Sequence, residues 1–302
     1  MAVDPGLERG VRPLDTRHAA NEPMRERTRR RSVLVHGALL VVVLITLYPL
    51  VWMIGSSLKP DNQIFTTFNP IPKSFQWSNY SEGWTATGTS FSVYILNSAV
   101  IALGAVVGNV LSCSFAAYAF ARLDFAYKRF WFVLMLGTLM LPFQATLIPQ
   151  YTLFFELGWV NTFLPLIVPQ FLAESAFFIF LMVQFIRGLP TELDEAASID
   201  GAGPIRVYFS IILPLMRPAL ITTTVLTFIW TFNDFLRQLV YLSDNTKYTV
   251  PLGLNSFIDK AGGSSFGGML AMSVVTLIPT VAVFLFFQRQ LIDGVATTGV
   301  KG

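Results

Sequence analysis

The chain has 302 residues, of which 53% are hydrophobic and only 13% are charged, whereas ordinary water-soluble domains carry about 25% charged residues. The first 31 residues contain eight arginines and five acids, so they account for the whole formal charge of +3. Because no basic face exists outside that tail, the composition excludes a nucleic-acid-binding protein. It indicates an all-α, polytopic membrane protein.

Residue counts and missing motifs exclude several chemistries. The chain has one cysteine, Cys113, and two histidines, His18 and His36, which are too few for a disulfide framework, a cysteine-based zinc site or a histidine-rich metal site. The phosphate-binding motif G-x-x-x-x-G-K-[ST] and the catalytic motifs H-E-x-x-H and G-x-S-x-G do not occur. The sequence therefore predicts a non-catalytic chain with no metal site and no cofactor of its own.

Six apolar runs are long enough to be transmembrane helices. The first run, 33–55, would reach about 34 Å at 1.5 Å per residue, which spans a hydrocarbon core of about 30 Å. It is too long for a signal-peptide core and lacks a small-residue cleavage site, so we expect it to be retained. An Arg-rich tail, residues 1–32, precedes these spans. The predicted helices cover about residues 33–55, 92–120, 130–154, 163–186, 218–242 and 267–288.

The distribution of lysine and arginine predicts the orientation of the chain. With the N-terminus in the cytoplasm, 16 of these residues fall on the cytoplasmic side and four on the opposite side. Both termini are therefore predicted to be cytoplasmic. The basic tail is predicted to be attracted to anionic membrane lipid.

Two features inside the apolar runs each leave two interpretations open. A stripe of small residues on the second helix would let another helix approach closely, within this chain or in another subunit. Six prolines inside the runs produce either packing kinks or free carbonyls that line a wet cavity. The stripe is Gly104, Gly108, Ser112 and Ala116, and the prolines are Pro49, Pro142, Pro149, Pro165, Pro169 and Pro279.

The predicted cytoplasmic loop 187–217 has the pattern of two short helices. Thr191 would cap a helix that begins near Glu192, where acids in the first turn suit the helix dipole. Gly201 would end this helix, and Pro204 would open a second one. Such a loop either docks into a groove on a soluble partner with basic residues or is a solvated connector.

The spacing inside this loop resembles the EAA motif of permease subunits of bacterial ABC importers. The match consists of Glu195-Ala196-Ala197, Gly201 after three further residues, and Ile211-x-Leu213-Pro214 after nine more. Other segments resemble the sugar-importer branch, and within it the second permease subunit of maltose-type importers, over about residues 33–302. These segments are Tyr48-Pro49 to Lys59-Pro60, Asn97-Ser98, the run 117–122, Pro149 with Gly158 to Asn161-Thr162, and Phe287-Gln288-Arg289 to Val300-Lys301-Gly302.

The resemblance implies a fold, a set of partners and residue roles. The fold would be the six-helix transmembrane domain of a type I ABC importer in the bacterial plasma membrane. The partners would be a second permease subunit, two copies of an ATPase that binds ATP and Mg, and an extracytoplasmic sugar-binding protein. In the loop, Glu195 would bond to a basic ATPase residue, and the alanines would allow a close fit. The implied ATPase-coupling residues are Asp194, Glu195, Ala196, Ala197, Asp200, Gly201, Gly203, Leu213 and Pro214.

Polar side chains inside the runs predict a substrate pathway, because they are costly against lipid. Asn233, Asp234 and Arg237 lie beside aromatic residues on the fifth helix, an arrangement that suits sugars. The alternative there is a structural ion pair near the outer membrane face. Gln170 and Glu174 lie four residues apart on the fourth helix, where helix–helix hydrogen bonds are the alternative.

Several functions remain open at this level. The main hypothesis is an importer permease for a sugar or oligosaccharide, and the same machinery could carry a polyol or a glycerophosphodiester. A membrane-embedded enzyme would use Asp234, Glu174 or Asp194 as a base, but it leaves the EAA pattern unexplained. A secondary transporter would have Glu174 as its coupling acid. The outer loop 243–268 is either a contact for the binding protein, as the resemblance implies, or a disordered solvent loop.

Overall fold

The computed structural model describes residues 22–258 and 265–299, and every regular element in these ranges is helical. We number the helices of eight or more residues in chain order: α1 Glu22–Ser56, α2 Phe91–Arg122, α3 Lys128–Thr138, α4 Phe143–Glu156, α5 Ala176–Arg187, α6 Glu192–Ile199, α7 Arg217–Phe232 and α8 Phe266–Gly299. Shorter helices are Asp61–Ile64, Ser78–Gly83, Leu164–Ile167, Pro204–Val207, Leu213–Leu215, Leu236–Tyr241 and Val250–Asn255, with 3₁₀ turns at Val168–Leu172 and Asn245–Lys247 and a π-helical turn at Tyr208–Ile212.

Four stretches of the described chain are long and apolar enough to cross a membrane. The number rises to six if each of two bent helix pairs counts as one span, which equals the number predicted from the sequence. The four continuous stretches are Leu34–Ser56, Phe91–Arg122, Leu164–Arg187 and Phe266–Gln290.

The N-terminal unit extends to Met53, and its described part is residues 22–53 of α1. The apolar side chains between Leu34 and Val51 are exposed, as suits a helix in contact with lipid. Pro49 lies inside α1 without interrupting it. Residues 1–21 of the predicted tail lie outside the described residues.

The second unit begins at Ile54 and is built around α2. Buried residues recur along α2 from Phe91 to Tyr118, and the helix packs against α5, α7 and the 3₁₀ turn that precedes α5. α8 packs against α7 and against the short helix Ser78–Gly83. A helix buried on several sides in this way forms the core of the unit.

The small-residue stripe of α2 faces the segment that precedes α5 in this chain. A Cβ atom added at Gly108 would lie 2.6 Å from the ring of Phe171, and one added at Gly104 would lie 3.0 Å from Ile167. The Ser112 hydroxyl donates to a backbone carbonyl of the same segment at 2.7 Å. Close packing within the chain therefore accounts for this stripe.

The run predicted as one helix over 130–154 consists of α3 and α4, which meet at 99°. Pro142 lies in the break. It has no N–H to donate, and it disfavours helical backbone at the preceding Leu141. Pro149 lies inside α4 without ending it.

The runs predicted over 163–186 and 218–242 are also interrupted. In the fourth span, Ala173 adopts a left-handed conformation with φ of 56°, and α5 begins only at Ala176. In the fifth, α7 ends at Phe232 and a short helix resumes at Leu236. Apolar periodicity predicts membrane segments, but it does not reveal these interruptions, because the residues in the breaks include ordinary alanine and aromatic side chains.

Residues 243–258, the described part of the outer loop 243–268, are folded and packed. Leu252 is buried, the Tyr94 hydroxyl donates to the Asn245 side chain at 2.6 Å, and Asn97 donates to the Tyr248 carbonyl at 2.9 Å. The prediction of a disordered solvent loop is therefore wrong for this part, because polar side chains of α2 hold the segment. Residues 259–264 lie outside the described residues.

Candidate functional site

A cavity of about 610 Å³ lies where the three helix breaks meet. The break between α3 and α4 contributes Leu139 and Leu141, the break before α5 contributes Glu174 and Ser175, and the break after α7 contributes Asp234. The other lining residues are Asn109, Thr138, Phe143, Thr146, Gln150, Gln170, Ala176, Phe177, Phe178, Thr227, Trp230, Thr231 and Arg237. Discontinuous spans around one cavity are typical of the binding sites of membrane transporters.

The position of Asn109 along α2 places the cavity near the middle of the span. Asn109 lies thirteen residues before Arg122, the last residue of α2, which corresponds to about 20 Å at 1.5 Å per residue. Its amide donates to the Thr227 hydroxyl on α7 at 2.7 Å. The hydrocarbon core is about 30 Å thick, so polar groups here need partners or water.

An ion-pair network forms one wall of the cavity. The Arg237 guanidinium lies 3.4 Å from the Glu174 carboxylate and 3.9 Å from that of Asp234, and the Arg237 backbone N–H donates to Asp234 at 3.2 Å. Gln170 donates to the second carboxylate oxygen of Glu174 at 3.2 Å. The guanidinium also lies over the ring of Phe143, 4.5 Å from its centroid.

The structure therefore brings together four of the five residues predicted for the substrate pathway. The side chains of Glu174, Asp234 and Arg237 remain 31%, 27% and 33% exposed, so they contact the space of the cavity. Among the lining residues in the described part of the chain, these three are the ionisable ones, and the acids outnumber the base. The contact between Glu174 and Arg237 joins two spans and was not anticipated from spacing.

Asn233 is not among the residues that line this cavity. Its amide donates to the Ile229 carbonyl at 2.8 Å, at the end of α7. A helix that stops leaves its last carbonyls without intrahelical donors, and a side chain at the following position can satisfy one of them. The expectation that Asn233 lines the pathway does not hold for this cavity.

Aromatic rings also line the cavity, and the sequence analysis did not assign several of its polar lining residues to the pathway. Trp230 lies 5.6 Å from Phe177 and 5.3 Å from Phe178, measured between ring centroids. Gln150 and Asn109 line the cavity, but neither was assigned to the solute pathway from the sequence. No local signal located them, because α2 has no proline near Asn109 and Pro149, beside Gln150, does not end α4.

The loop 187–217 folds as two short helices around a glycine turn. α6 ends before Gly201, which adopts a left-handed conformation with φ of +76°, and the next helix begins at Pro204. Thr191 has helical backbone angles and no capping hydrogen bond from its side chain, so its predicted capping role is wrong. Gly203 is extended, with φ of −73°, and flanks the second helix.

The predicted coupling residues differ in how they face solvent. Ala197 is buried at 7% exposure and Leu213 is half-buried, whereas the carboxylate oxygens of Asp194 are buried beside Arg122. The exposed members are Glu195, Ala196, Asp200, Gly201, Gly203 and Pro214. Two large apolar residues that the sequence analysis did not single out are strongly exposed here, Ile199 at 86% and Ile205 at 75%.

Metal binding has no support within residues 22–258 and 265–299. No group of three or more histidine, cysteine, aspartate and glutamate side chains there is placed to hold a metal ion. Cys113 is buried, and its thiol donates to the Asn109 side chain at 2.8 Å.

A helical membrane domain with interrupted spans around a central cavity defines a class of transporter subunits. Residues 108–296 match the family described as the binding-protein-dependent transport system inner membrane component, and the chain belongs to this family. It is thus a permease subunit of an ABC importer, the non-catalytic membrane component, and the identification made from the EAA spacing is confirmed.

Two relatives and one solved structure illustrate the match. The chain is 35% identical to the trehalose/maltose transport system permease protein MalG of Thermococcus litoralis, over 92% of this chain and 100% of that protein. It is 33% identical to the sn-glycerol-3-phosphate transport system permease protein UgpE of Yersinia pestis, over 90% and 98% of the two chains.

The solved structure shows the fold. A crystal structure of a bacterial ABC transporter involved in the import of the acidic polysaccharide alginate has a TM-score of 0.74, covers 87% of this chain and 97% of its own, and is 22% identical. The predicted all-α fold of a type I importer membrane domain is confirmed. As in this family generally, the chain is a multi-pass membrane protein that works with another permease, an ATPase and a substrate-binding protein.

Proposed function

We propose that this chain is the permease subunit through which a neutral sugar or oligosaccharide enters the cell. An extracytoplasmic sugar-binding protein delivers the solute, and two copies of an ATPase that hold ATP and Mg drive its passage. The observation that carries this proposal is the convergence of three interrupted spans on one cavity walled by carboxylates, amides and aromatic rings.

The chemistry of the wall supports a polyhydroxylated solute. The rings of Trp230 and Phe177 offer apolar faces to the C–H groups of a sugar, while Gln150 and Gln170 offer amides to its hydroxyls. A trehalose/maltose permease is among the relatives of this chain. We assign Gln170, Glu174, Asp234 and Arg237 to the solute pathway.

The net charge of the cavity wall favours a neutral solute over a phosphorylated one. Arg237 is shared between Glu174 and Asp234, so the described wall carries one more acid than base. A phosphate group would meet like charge at a depth where water screens poorly. This supports a neutral sugar or polyol over a glycerol phosphate, the solute in the name of the Yersinia relative.

The exposed tip of the loop 187–217 supports the coupling role. Glu195 is exposed beside Ala196, and the apolar side chains of Ile199 and Ile205 are exposed on the same loop. Exposed apolar side chains next to a charged one are typical of a protein contact surface. We assign Glu195, Ala196, Ile199 and Ile205 to the ATPase contact and Gly201 to the turn that shapes it.

The same loop supports the orientation of the chain. α2 ends at Arg122 and α5 ends at Arg187, and α6 follows α5 directly, which places these basic helix ends on the side of the loop. By the positive-inside rule this side is cytoplasmic, as are both termini, in a bacterial plasma membrane. The Arg-rich tail, residues 1–32, contacts anionic lipid there, and residues 243–268 face the binding protein.

Uptake by the assembled importer tests this function. The tagged chain is purified with the subunits that accompany it and reconstituted in liposomes that contain MgATP, with its binding protein outside. Uptake is measured for a panel of radiolabelled neutral di- and oligosaccharides and for sn-glycerol 3-phosphate. We expect ATP-dependent uptake of a saccharide. Uptake of glycerol 3-phosphate alone would refute the neutral solute, and accumulation by the isolated chain without ATP would refute the importer.

A further inference from the structure

We propose that Tyr118 and Arg122 of α2 clamp the loop 187–217 onto α2, and that Asp194 belongs to this clamp rather than to the ATPase contact. Movement of the loop is then carried to the cavity by α2. The proposal rests on the coupling role proposed above, and it reassigns one of the residues that the EAA resemblance implied for that role.

Polar side chains on one face of α2 hold successive parts of the loop. Arg122 donates to the Leu189 carbonyl at 2.8 Å, just before α6, and lies 2.9 Å from the Asp194 carboxylate inside α6. One turn earlier, the Tyr118 hydroxyl donates to the Pro204 carbonyl at 3.0 Å, at the start of the second short helix. Positions four residues apart lie on the same face of a helix.

A third contact on the same face of α2 lies one helical turn farther into the membrane. The hydroxyls of Ser114 and Tyr208 lie 2.7 Å apart, and both side chains are buried. Tyr208 opens the π-helical turn that follows the second short helix of the loop. Contacts spread over the loop from Leu189 to Tyr208 oppose sliding or tilting of the loop against α2, because displacement in either direction would break one of them.

Asp194 is turned away from the surface that a soluble partner would reach. Both of its carboxylate oxygens are buried, and the Arg122 side chain is only 9% exposed. The neighbouring Glu195 is exposed. A buried carboxylate beside a buried guanidinium satisfies its charge within the chain, because an unpaired charge at that position would be costly.

α2 is suited to carry the movement to the cavity. It is a continuous helix of 32 residues without proline, it ends at the clamp, and Asn109 in its middle lines the cavity and donates to Thr227 of α7. The direct route along the chain into α7 is less regular, because it passes through the π-helical turn Tyr208–Ile212 and a bend of 75°.

A double-mutant cycle tests the assignment of Asp194. The importer carrying Arg122→Gln, Asp194→Asn or both is purified through the tagged permease, and retained ATPase and MgATP hydrolysis are measured. For a clamp, the effects of the two single variants are not additive: the double variant is no worse than Arg122→Gln, which loses the bond to the Leu189 carbonyl as well as the pair with Asp194. Independent effects that add, or loss of ATPase in Asp194→Asn alone, would overturn the assignment. Arg129→Gln, an exposed arginine on the same side, is the matched control.

Spin-label distances test whether the loop and α2 move together, with MgATP and vanadate as the probe. In a Cys113→Ser background, labels are placed at the exposed positions Asp124, just beyond α2, and Ser198 in α6. We expect one narrow distance distribution that does not shift on trapping, and broadening in Arg122→Gln and in the milder Tyr118→Phe. Two results would overturn the proposal. One is a change in the label-to-label distance when MgATP and vanadate are added to the protein with wild-type Tyr118 and Arg122. The other is a distance distribution that stays unchanged in both Arg122→Gln and Tyr118→Phe. Failure of the coupling role itself would instead appear as wild-type uptake in Glu195→Lys.

Discussion

Arg237 lies 3.4 Å from Glu174, although the two residues belong to different membrane spans and each adjoins an interruption of its span. Glu174 follows the left-handed Ala173 in the break before α5, and Arg237 is the second residue of the short helix Leu236–Tyr241, which follows the break after α7. The breaks thus place an ion pair inside the membrane and make it part of a cavity.

The first prediction concerns the balance of charge in this cavity. Arg237→Gln leaves the carboxylates of Glu174 and Asp234 without their shared partner in a poorly hydrated space. We expect solute uptake by the reconstituted importer to fall about tenfold, equivalent to about 1.4 kcal/mol. Adding Glu174→Gln to this variant removes one unpaired acid and should recover part of the loss.

The control for this prediction is Lys73→Gln, which removes a positive charge at an exposed position outside the cavity. We expect its uptake to equal that of the wild type. If Arg237→Gln transported solute as well as Lys73→Gln does, the ion-pair network would have no part in the pathway.

The second prediction concerns the exposed acid of the loop. Glu195→Lys reverses the charge that is proposed to meet a basic ATPase residue, so the complex should assemble in the membrane and yet lose substrate-stimulated ATP hydrolysis. Hydrolysis is measured with and without the loaded binding protein. Asp124→Lys makes the same reversal at another exposed site on the same side, and it should leave stimulation intact. Normal stimulation in Glu195→Lys would remove this residue from the coupling surface.

The third prediction concerns the turn after α6. Gly201 has φ of +76° and open space around its Cα, so Gly201→Ala meets no steric contact but pays a conformational cost of about 1–2 kcal/mol. Gly203 also has open space, but its φ is −73°, which any residue adopts. Hydrogen exchange of the α6 amides should therefore increase in Gly201→Ala and stay unchanged in Gly203→Ala. Equal exchange rates in Gly201→Ala and Gly203→Ala would show that alanine at position 201 causes no conformational strain.

The fourth prediction concerns packing between α2 and the segment before α5. In Gly108→Ala the new methyl group would lie 2.6 Å from the Phe171 ring and 3.0 Å from backbone, so the packing must shift at a cost of about 1–3 kcal/mol. Gly137→Ala in α3 has nothing within 4 Å and should be neutral or slightly stabilising. Thermal unfolding of the purified complex in detergent measures the difference. A Gly108→Ala variant as stable as Gly137→Ala would mean that this contact is loose.

Acidification should weaken the outer loop. Hydrogen bonds from the Thr246 backbone N–H and hydroxyl hold the pKa of Asp244 below its usual value. A carboxylate with a lowered pKa stabilises the folded loop at neutral pH, and this contribution is lost as the pH falls through the folded-state value. Proteolysis of residues 243–258 should accelerate in acid. Thr246→Val removes one of these hydrogen bonds, so this variant should be cleaved faster than the wild type at neutral pH and should show a smaller further acceleration in acid. An acid acceleration equal to that of the wild type would contradict this role of Asp244.

The candidate site could be predicted in part from spacing alone. Gln170 and Glu174 are four residues apart, and Asp234 and Arg237 are three apart, so the short chain between them keeps each pair close even though a break interrupts the helix there. The contact between the two pairs depends on how two interrupted spans pack, and no local pattern encodes it. The contact between Asp194 and Arg122 of α2 is also long-range. The sequence therefore could not show it, and the EAA spacing alone assigned Asp194 to the ATPase contact.

What the amino-acid sequence determined was the class of the protein and its segments. Apolar runs of sufficient length indicate membrane spans, and the EAA spacing marks the loop of an importer permease. The excess of lysine and arginine on one side predicts the orientation of the spans. Only the tertiary structure decided where the spans break, which side chains line the cavity and which way each acid of the loop faces. These features arise from packing between residues far apart in the chain, where steric fit and the need to satisfy buried polar groups override local preference.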